Sequence, residues 1–529
     1  MPPLPLDGAR SDGSLGLTAR TLLTRLLSHD RDNSVRPLDS LSIAVLAYLA
    51  LPNFIFFIGW LRWPFAFFFS LLLACSVGTA IDWRQVVWRW PYRSSVGLTL
   101  VTAALVWCAF GGAGHFVAAA IDWQARDAVL GDLTYGDWPV SYAFREGVHY
   151  ILRSAIGYFL PAALLAKALG IQVVDLALYL WTALGTTLFL HSLPLPQRLG
   201  LRLLLLLLLV VLFSGMDLLG ALTYWGEWPE FPVRLEWWTR FSYPSLSGQL
   251  FWAPNHALPI WLGAALFYRH WQNPAFLPFA LLLGALLLLW TPFALLGLAP
   301  FFLLSVLQYG VSRNQRISLT PLMTTILVMA WMGRFLTLNI DDIPATSSLQ
   351  QAGAAKGFLS SYLVFILLEF GALSLLLASR LRHSHGILWI SMATLSLLPL
   401  GVFGPSNDLL LRVSTPSLIM LLILTLTLFQ PGNSPPADGS RPWLIVAMLS
   451  IGAFTPFHEF GRAVIVRRWP PNYERTLVDQ QHGSFPPHYI GRLDRADVRL
   501  LLRDPAIVPS HAQRRAGHHS RSWLMQTPP

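Results

Sequence analysis

Long apolar runs recur along most of this chain, from residue 41 to residue 459. A helix needs about 20 mostly apolar residues to cross the hydrocarbon core of a bilayer, so these runs constrain the fold more than any other feature. The longest run, 275–308, has room for two passes around Pro292. We therefore predict an all-α, polytopic transmembrane helix bundle of about 11 to 13 spans, with short outer-face helices. The apolar windows are 41–61, 63–81, 95–116, 173–192, 202–221, 256–271, 275–308, 318–338, 358–379, 386–403, 411–429 and 442–459.

The composition supports a membrane protein. Only 12% of the 529 residues are charged and 54% are hydrophobic, whereas a soluble globular protein carries about 25% charged residues. The net charge of +10, from 37 Lys and Arg against 27 Asp and Glu, fits arginine-rich cytoplasmic loops. We expect the lipid bilayer as a partner and no nucleic acid. Cys75 and Cys108 lie in apolar runs, which favours two buried thiols over a disulfide.

Arginines in short loops mark the cytoplasmic side of a membrane protein. Arg84, Arg89 and Arg93 place the loop after the second window inside, so the acidic stretch 117–149 faces outward. Consistent counting requires residues 150–170 to form a helix that lies on, or re-enters, the outer face. We expect an integral protein of the bacterial inner (plasma) membrane with a periplasmic or extracellular active face. The predicted regions are a cytosolic leader at 1–40, a transmembrane catalytic body at 41–460, outer loops at 117–149, 222–252, 339–357 and 404–410, and a basic outer-face tail at 461–529.

A first candidate cluster lies in the acidic outer loop. Asp122 and Asp132 flank Arg126, with Trp123 and Trp138 close by in sequence. Carboxylates beside tryptophans at a membrane surface are typical of a site that binds a sugar on an aromatic face and uses a carboxylate as general base. If Asp122 and Asp132 approach each other through a turn, they could hold a divalent cation such as Mg or Mn, or share a proton. The alternative is a solvated loop whose tryptophans anchor at the interface.

A second cluster follows a leucine-rich helix and contains Asp217, Glu236, Trp237, Asn255 and His256. Aromatic residues alternating with carboxylates are typical of a carbohydrate-binding cleft, although an aromatic belt has the same composition. His256 begins a helix directly after a proline and an asparagine, a position suited to a phosphate partner or to a capping side chain.

The third cluster pairs Asp408 with Arg412 near an outer hairpin. Arg412 could bind a lipid or substrate phosphate, or it could simply form an i,i+4 helix pair with Asp408. Motifs for binding nucleotides, such as a P-loop or a dinucleotide fingerprint, are absent from the sequence. We therefore expect no nucleotide cofactor.

The many spans, the acidic first outer loop with Asp122 and Asp132, and the stretch 150–170 after it together resemble the GT-C fold of integral-membrane glycosyltransferases. The resemblance implies a polyprenyl-phosphate-linked sugar donor, a glycan, lipid or protein acceptor at the outer face, and Asp122 or Asp132 as base or metal ligand. Transfer would invert the anomeric carbon, with Arg126, Arg153, Arg240 and Arg412 as phosphate candidates. Two apolar windows, 41–61 and 63–81, precede the helix that leads into the acidic loop, unlike the usual plan of that superfamily.

Two other function classes fit the same pattern. A polysaccharide polymerase or ligase of another fold would also need outer-face arginines and a glycan cleft. A polytopic transporter or flippase predicts charged residues near the middle of spans, where the sequence offers Lys167 and Glu369. Most candidate residues lie at the ends of apolar windows instead, which favours the enzyme.

Overall fold

The structure is a computed structural model that describes residues 37–145, 148–154, 156–273, 276–309, 319–348, 357–381, 384–404, 406–430, 442–481 and 486–514. The predicted leader therefore lies outside the described residues, apart from 37–40. The described chain is mainly helical, which confirms the predicted helical character. The helices are α1 (Ser40–Trp60), α2 (Trp63–Ala80), α3 (Ser94–Ala109), α4 (Trp123–Tyr135), α5 (Leu160–Leu169), α6 (Val174–Ser192), α7 (Leu201–Val211), α8 (Asp217–Trp225), α9 (Leu246–Trp252), α10 (Pro254–His270), α11 (Phe276–Leu288), α12 (Pro292–Tyr309), α13 (Leu319–Leu336), α14 (Phe358–Ile366), α15 (Ala372–Ala378), α16 (His385–Leu397), α17 (Thr415–Leu428), α18 (Pro442–Gly452), α19 (Phe454–Ile465), α20 (Leu477–Gln480) and α21 (Ala496–Leu501).

Seven helical segments within the described ranges are long and apolar enough to cross a membrane. This supports a membrane protein, and the number of 11 to 13 spans stays a prediction. Shorter apolar helices such as α11, with 13 residues, rise only about 20 Å each. The seven segments are Ser40–Trp60, Trp63–Ala80, Ile171–Ser192, Leu319–Leu336, Phe358–Ala378, Leu409–Leu428 and Trp443–Ile465.

Two of the spanning segments contain a π-helical turn, and each turn contains a charged residue. One turn, Leu367–Gly371, joins α14 to α15 and includes Glu369. The other, Leu409–Val413, precedes α17 and includes Arg412. A π turn inserts a residue into the helix and frequently marks a functional position.

One end of the bundle, which we call the rim, carries two small sheets. The strands are β1 (Val140–Arg145), β2 (Val148–Leu152), β3 (Ala345–Ser347), β4 (Gly401–Phe403), β5 (Ile490–Arg492) and β6 (Ala506–Ile507). The first sheet has the order β5-β2-β1-β6, in which β6 runs parallel to β1 and the other neighbours are antiparallel, and β3 pairs with β4 in the second. The all-α prediction is therefore too narrow, because outer loops pair with each other and with the tail.

The tail is part of the body rather than a separate region. The predicted boundary at 460 falls inside α19, and the following residues return to the rim through β5 and β6. The Arg62 amide donates to the Leu501 carbonyl at 2.9 Å, and the Arg503 amide donates to the Trp60 carbonyl at 2.9 Å. The tail thus lies at the same end of the bundle as the acidic loop.

Residues 150–170 contain the end of β2 and the helix α5, which has ten residues. A ten-residue helix rises about 15 Å, half of the hydrocarbon thickness. The stretch therefore holds no helix long enough to cross, although part of it is a strand rather than the helix we predicted.

The end opposite the rim is joined by polar contacts between distant segments. Asp39 caps α1 by accepting from the Ser42 amide at 2.9 Å and forms an ion pair with Arg269 at 2.5 Å. The Tyr92 hydroxyl donates to the Leu193 carbonyl at 2.8 Å. Of the two thiols, Cys108 is buried whereas Cys75 is exposed, and both are free, so the prediction of two buried thiols is wrong for Cys75.

Candidate active site at the rim

The first part of the site is the beginning of α4. Asp122 occupies the N-cap position, but its side chain makes no capping hydrogen bond. Its carboxylate is 46% exposed and lies 3.7 Å from Arg126 Nη1, one helical turn further on. That distance is too long for a hydrogen bond, and Nη1 of the buried Arg126 has no hydrogen-bond partner among the described residues. The guanidinium therefore keeps a free donor beside an accessible carboxylate.

The second part is the beginning of α10, where Pro254 occupies the first turn. Proline suits this position because the first amides of a helix need no intrahelical acceptor. Asn255 Oδ1 accepts a hydrogen bond from Arg126 Nε at 3.4 Å, and His256 Nδ1 lies 2.9 Å from Thr291 Oγ1. The N-terminus of a 17-residue helix carries partial positive charge that favours an anion.

The third part is the π turn that contains Arg412. Arg412 Nε lies 3.7 Å from Asp408 Oδ1, so the i,i+4 pair that the sequence allows does form. The pair is again too long for a hydrogen bond, and the buried Nε has no hydrogen-bond partner in the described ranges. Arg412 therefore repeats the arrangement of Arg126.

The fourth part comes from the tail. The Tyr489 carbonyl accepts from the Arg153 amide at 2.9 Å, and the Arg153 guanidinium donates to the carbonyls of Leu336, at 2.5 Å, and Pro487. Burial lowers the pKa of Arg153 to about 10 and the pKa of His488; it raises the pKa of Tyr489. Arg153 thus holds the segment that carries His488 and Tyr489, which makes it a positioning residue.

The four parts are close enough for the charges of one part to influence the titratable side chains of another. The charges of Arg126 and Arg412 both act on His256 and on Tyr489. Asp122 acts on Arg412 and on His488. We call this group the rim site; it comprises Asp122, Arg126, Asn255, His256, Asp408, Arg412, His488 and Tyr489. The arrangement can hold an oxyanion between two guanidinium groups and a helix N-terminus, with an exposed carboxylate close by.

The structure does not place Asp132 at this site. The two carboxylates lie at opposite ends of α4, about 15 Å apart along the helix axis, because the turn expected between them is a continuous helix. Asp132 is fully buried, and it accepts from the Tyr142 hydroxyl at 2.6 Å, the Leu477 amide at 3.0 Å and the Arg514 guanidinium. Burial raises its pKa against the opposing charge of Arg514. Asp132 therefore anchors the tail.

The separation of Asp122 and Asp132 also decides whether the two can bind a metal ion together. Asp122 and Asp132 are too far apart to bind one ion, so the predicted cation shared by the two is wrong. In the described part of the chain, no group of three or more His, Cys, Asp or Glu side chains is placed to hold a metal. Each carboxylate of the rim site lies beside a guanidinium group, which does not fit a divalent cation.

The tryptophans of the first cluster are structural. Trp123 is fully buried and donates from Nε1 to the Phe251 carbonyl at 2.8 Å. Trp138 donates to the Leu133 carbonyl at 2.8 Å and packs against Trp60, with ring centroids 5.1 Å apart. Neither offers the exposed ring face that the prediction of sugar binding required.

The residues of the second cluster lie in different environments and do not form one site. Asp217 is fully buried and accepts from the Ser214 hydroxyl at 3.0 Å. Glu236 accepts from the Ser245 amide and hydroxyl at 2.8 and 2.6 Å, and burial, with the Glu459 charge, raises its pKa to about 8. Trp237 is 55% exposed. Only His256 and Asn255 of this cluster belong to the rim site.

His115, for which no role was predicted, lies between two carboxylates. His115 Nε2 lies 3.1 Å from Asp127, and Nδ1 lies 2.9 Å from Asp175. Burial by itself would lower the pKa of His115, but the hydrogen bonds and charges of both aspartates outweigh it and raise the pKa to about 9. The Tyr473 hydroxyl also donates to Asp175, so this network ties the tail to α6.

Comparisons with protein-family models, with curated proteins and with solved structures found no match to this chain.

Proposed function

We propose that this chain is a membrane glycosyltransferase that moves a sugar from a polyprenyl-phosphate donor to a glycan, lipid or protein acceptor. The observation that supports it most is the pairing of an accessible carboxylate, Asp122, with two buried arginines that retain unused donors, Arg126 and Arg412. An apolar helix bundle with this site at one end suits a substrate whose lipid lies in the bilayer and whose phosphate lies at its surface.

In the proposed reaction, the Asp122 carboxylate removes the proton from an acceptor hydroxyl. The acceptor oxygen then attacks the anomeric carbon, and the bond from that carbon to the phosphate oxygen breaks on the opposite side, so the configuration inverts. The electron pair leaves on the lipid phosphate, whose charge is stabilised by Arg126, Arg412 and the N-terminus of α10. Removing a general base typically slows a reaction by about a hundredfold to ten-thousandfold.

We place the rim on the periplasmic or extracellular side of a bacterial plasma membrane. The support is the distribution of arginine, because the loop with Arg84, Arg89 and Arg93 lies at the end opposite the rim, where the Val87 carbonyl accepts from the Ser40 amide at 3.2 Å. Positive charge in short loops favours the cytoplasm.

The proposal is tested by transfer from a polyprenyl-phosphate sugar to membrane extract with purified full-length protein. Asp122→Asn is expected to reduce transfer at least a hundredfold. Asp504→Asn is the matched control, since Asp504 also lies in the rim region and its side chain is 99% exposed. Equal transfer by the wild type and Asp122→Asn would refute the role of Asp122.

Proton-coupled transport is the second candidate, and a buried carboxyl pair favours it. Asp217 and Glu369 are both buried, their carboxyl groups act on each other, and among the described residues Asp217 Oδ1 and Glu369 Oε2 have no geometric hydrogen-bond partner. Two interacting buried carboxyl groups favour a shared proton, and Glu369 lies on a π turn within a spanning segment. If the protein is a proton-coupled transporter, Glu369→Gln abolishes pH-driven uptake into proteoliposomes. If it is the proposed transferase, the variant keeps transfer within a few-fold.

A further inference from the structure

A second group of cationic side chains lies beside the rim site. Arg234 belongs to the loop between α8 and α9, and its guanidinium carbon lies 3.0 Å from the ring centroid of Trp252 and 4.3 Å from that of Trp237. Within the described ranges, no carboxylate, carbonyl or hydroxyl accepts a hydrogen bond from this guanidinium. Stacking on indole satisfies the flat face of an arginine but leaves its N–H donors unused.

A second arginine approaches the same indole. The guanidinium carbon of Arg462, on α19, lies 5.6 Å from the Trp252 ring centroid. Its Nη1 donates to both carboxylate oxygens of Glu459, at 2.7 and 3.0 Å, while its buried Nε has no hydrogen-bond partner in the described part of the chain. Glu459 also accepts from Trp252 Nε1 at 3.1 Å. The Glu459 carboxylate is therefore already engaged by Arg462 and Trp252.

Two guanidinium groups lie near one indole, and the carboxyl groups of Asp122, Glu459 and Glu236 offset part of the repulsion that Arg462 exerts on Arg234. Burial and the repulsion from Arg462 lower the pKa of Arg234 to about 10, which is unusual for an arginine. An oxyanion between them would remove the repulsion and accept the unused N–H groups, and charge-assisted hydrogen bonds of this kind are the strong ones.

The group faces the reacting end of the rim site. Asp122 is close enough to Arg234 and to Arg412 for its charge to act on both, so the proposed base lies near both sets of arginines. Trp252, Glu459 and Arg462 line a cavity that also includes Ala118–Ala120, which end two residues before Asp122. Trp237, which Arg234 approaches at 4.3 Å, still exposes 55% of its surface, and the ring face away from Arg234 can stack on a sugar ring.

We propose that Arg234 and Arg462 bind an oxyanion, a carboxylate or a phosphate, carried by the glycan acceptor. The word acceptor rests on the proposed function, but the anion site itself does not. If Arg126 and Arg412 bind the donor phosphate, this second site brings an acidic sugar to Asp122 from the other side.

The test measures binding without turnover. Saturation-transfer NMR on purified full-length protein in zwitterionic nanodiscs would compare glucuronate, glucose 6-phosphate and glucose. At least one acidic sugar is expected to bind at least tenfold more tightly than glucose, and the acidic sugar that does so identifies carboxylate or phosphate as the anion. Equal binding of all three sugars would overturn the proposal.

Arg234→Gln should reduce binding of the preferred acidic sugar at least tenfold, whereas Arg334→Gln should leave it unchanged. Arg334 is a matched control because it is an exposed arginine near the rim whose side chain pairs with Asp497 at 2.9 Å. Arg234→Lys keeps the charge but loses the planar fork, so intermediate binding is expected even if the glutamine variant fails to fold. Binding by either Arg234 variant that equals the wild type would contradict the proposal. Because no transfer is measured, failure of the glycosyltransferase proposal would show in the Asp122→Asn assay and not here.

Discussion

The two ends of α4 carry the same side chain in opposite circumstances. Asp132 is fully buried and accepts three hydrogen bonds, one of them from Arg514. Asp122 is half exposed, and its nearest cation is 3.7 Å away. A buried carboxylate with both oxygens engaged holds a fold together, whereas an exposed one beside unused donors is available to a substrate. Sequence treats the two residues alike, and only their partners separate them.

The largest expected effect is on stability at the buried end. Asp132→Asn removes the charge that faces Arg514 and leaves a buried guanidinium uncompensated, which typically costs about 3 to 5 kcal/mol. We expect a strongly lowered unfolding temperature and early proteolysis of the tail, measured by size-exclusion thermostability. Unfolding like that of the wild type would show that Asp132 does not anchor the tail.

The next largest effect is on catalysis and concerns the guanidinium donors near Asp122. Arg412→Gln removes a cation from the proposed leaving phosphate and is expected to lower kcat by about a hundredfold to a thousandfold. The matched control is Arg334→Gln, because Arg334 is an exposed arginine near the rim that pairs with Asp497 at 2.9 Å. A fall of similar size in both variants would argue against a specific role for Arg412.

The buried network of His115 with Asp127 and Asp175 predicts that the stability of the fold depends on pH. The folded pKa of His115 is raised to about 9 above an unfolded value of about 6.5. Its stabilisation is therefore complete below pH 6.5 and is lost as the pH rises through 9, with an effect on the order of 1 to 3 kcal/mol. Unfolding temperature against pH would show this decline, and His115→Gln should flatten it.

The exposed His149 provides the control for that measurement. His149→Gln should leave the decline between pH 6.5 and 9 intact. A flat profile in the wild type would mean that His115 is not charged in the folded protein.

The smallest expected effect is on stability at the exposed end. Asp122→Asn breaks only a long, partly exposed ion pair, so the free energy of unfolding should change by no more than about 0.5 to 1 kcal/mol. The same thermostability measurement checks this prediction. A loss as large as that of Asp132→Asn would remove the contrast between the two ends of α4.

Local pattern predicted the helices because apolar length alone requires them in a bilayer. The sequence pattern also identified four candidate residues of the rim site, because charges at the ends of apolar runs are uncommon. They are Asp122, Arg126, His256 and Arg412. The pattern could not assign Asp132, because the partner Arg514 lies far away along the chain. Tyr489 and His488 lie beside a proline-rich stretch with no recognisable motif, and the pairing of β5 with β2 depends on tertiary packing that periodicity does not record.

The candidate role of Arg234 was likewise hidden from the sequence, because some of the side chains around it are distant along the chain. In its loop aromatic and charged residues alternate, a pattern that favours a carbohydrate-binding cleft but also fits an aromatic belt. Only the stacking on Trp252 and the approach of Arg462 from a distant helix show that its donors are unused. The chemistry of a side chain is set by partners that sequence separation hides.

The most direct test measures transfer per folded molecule for Asp122→Asn and Asp132→Asn in one assay. We predict that Asp122→Asn yields normal amounts of folded protein with transfer at least a hundredfold slower. Asp132→Asn should yield little folded protein, whose remaining molecules transfer within a few-fold of the wild-type rate. Normal transfer by folded Asp122→Asn, or loss of transfer by folded Asp132→Asn alone, would contradict the account.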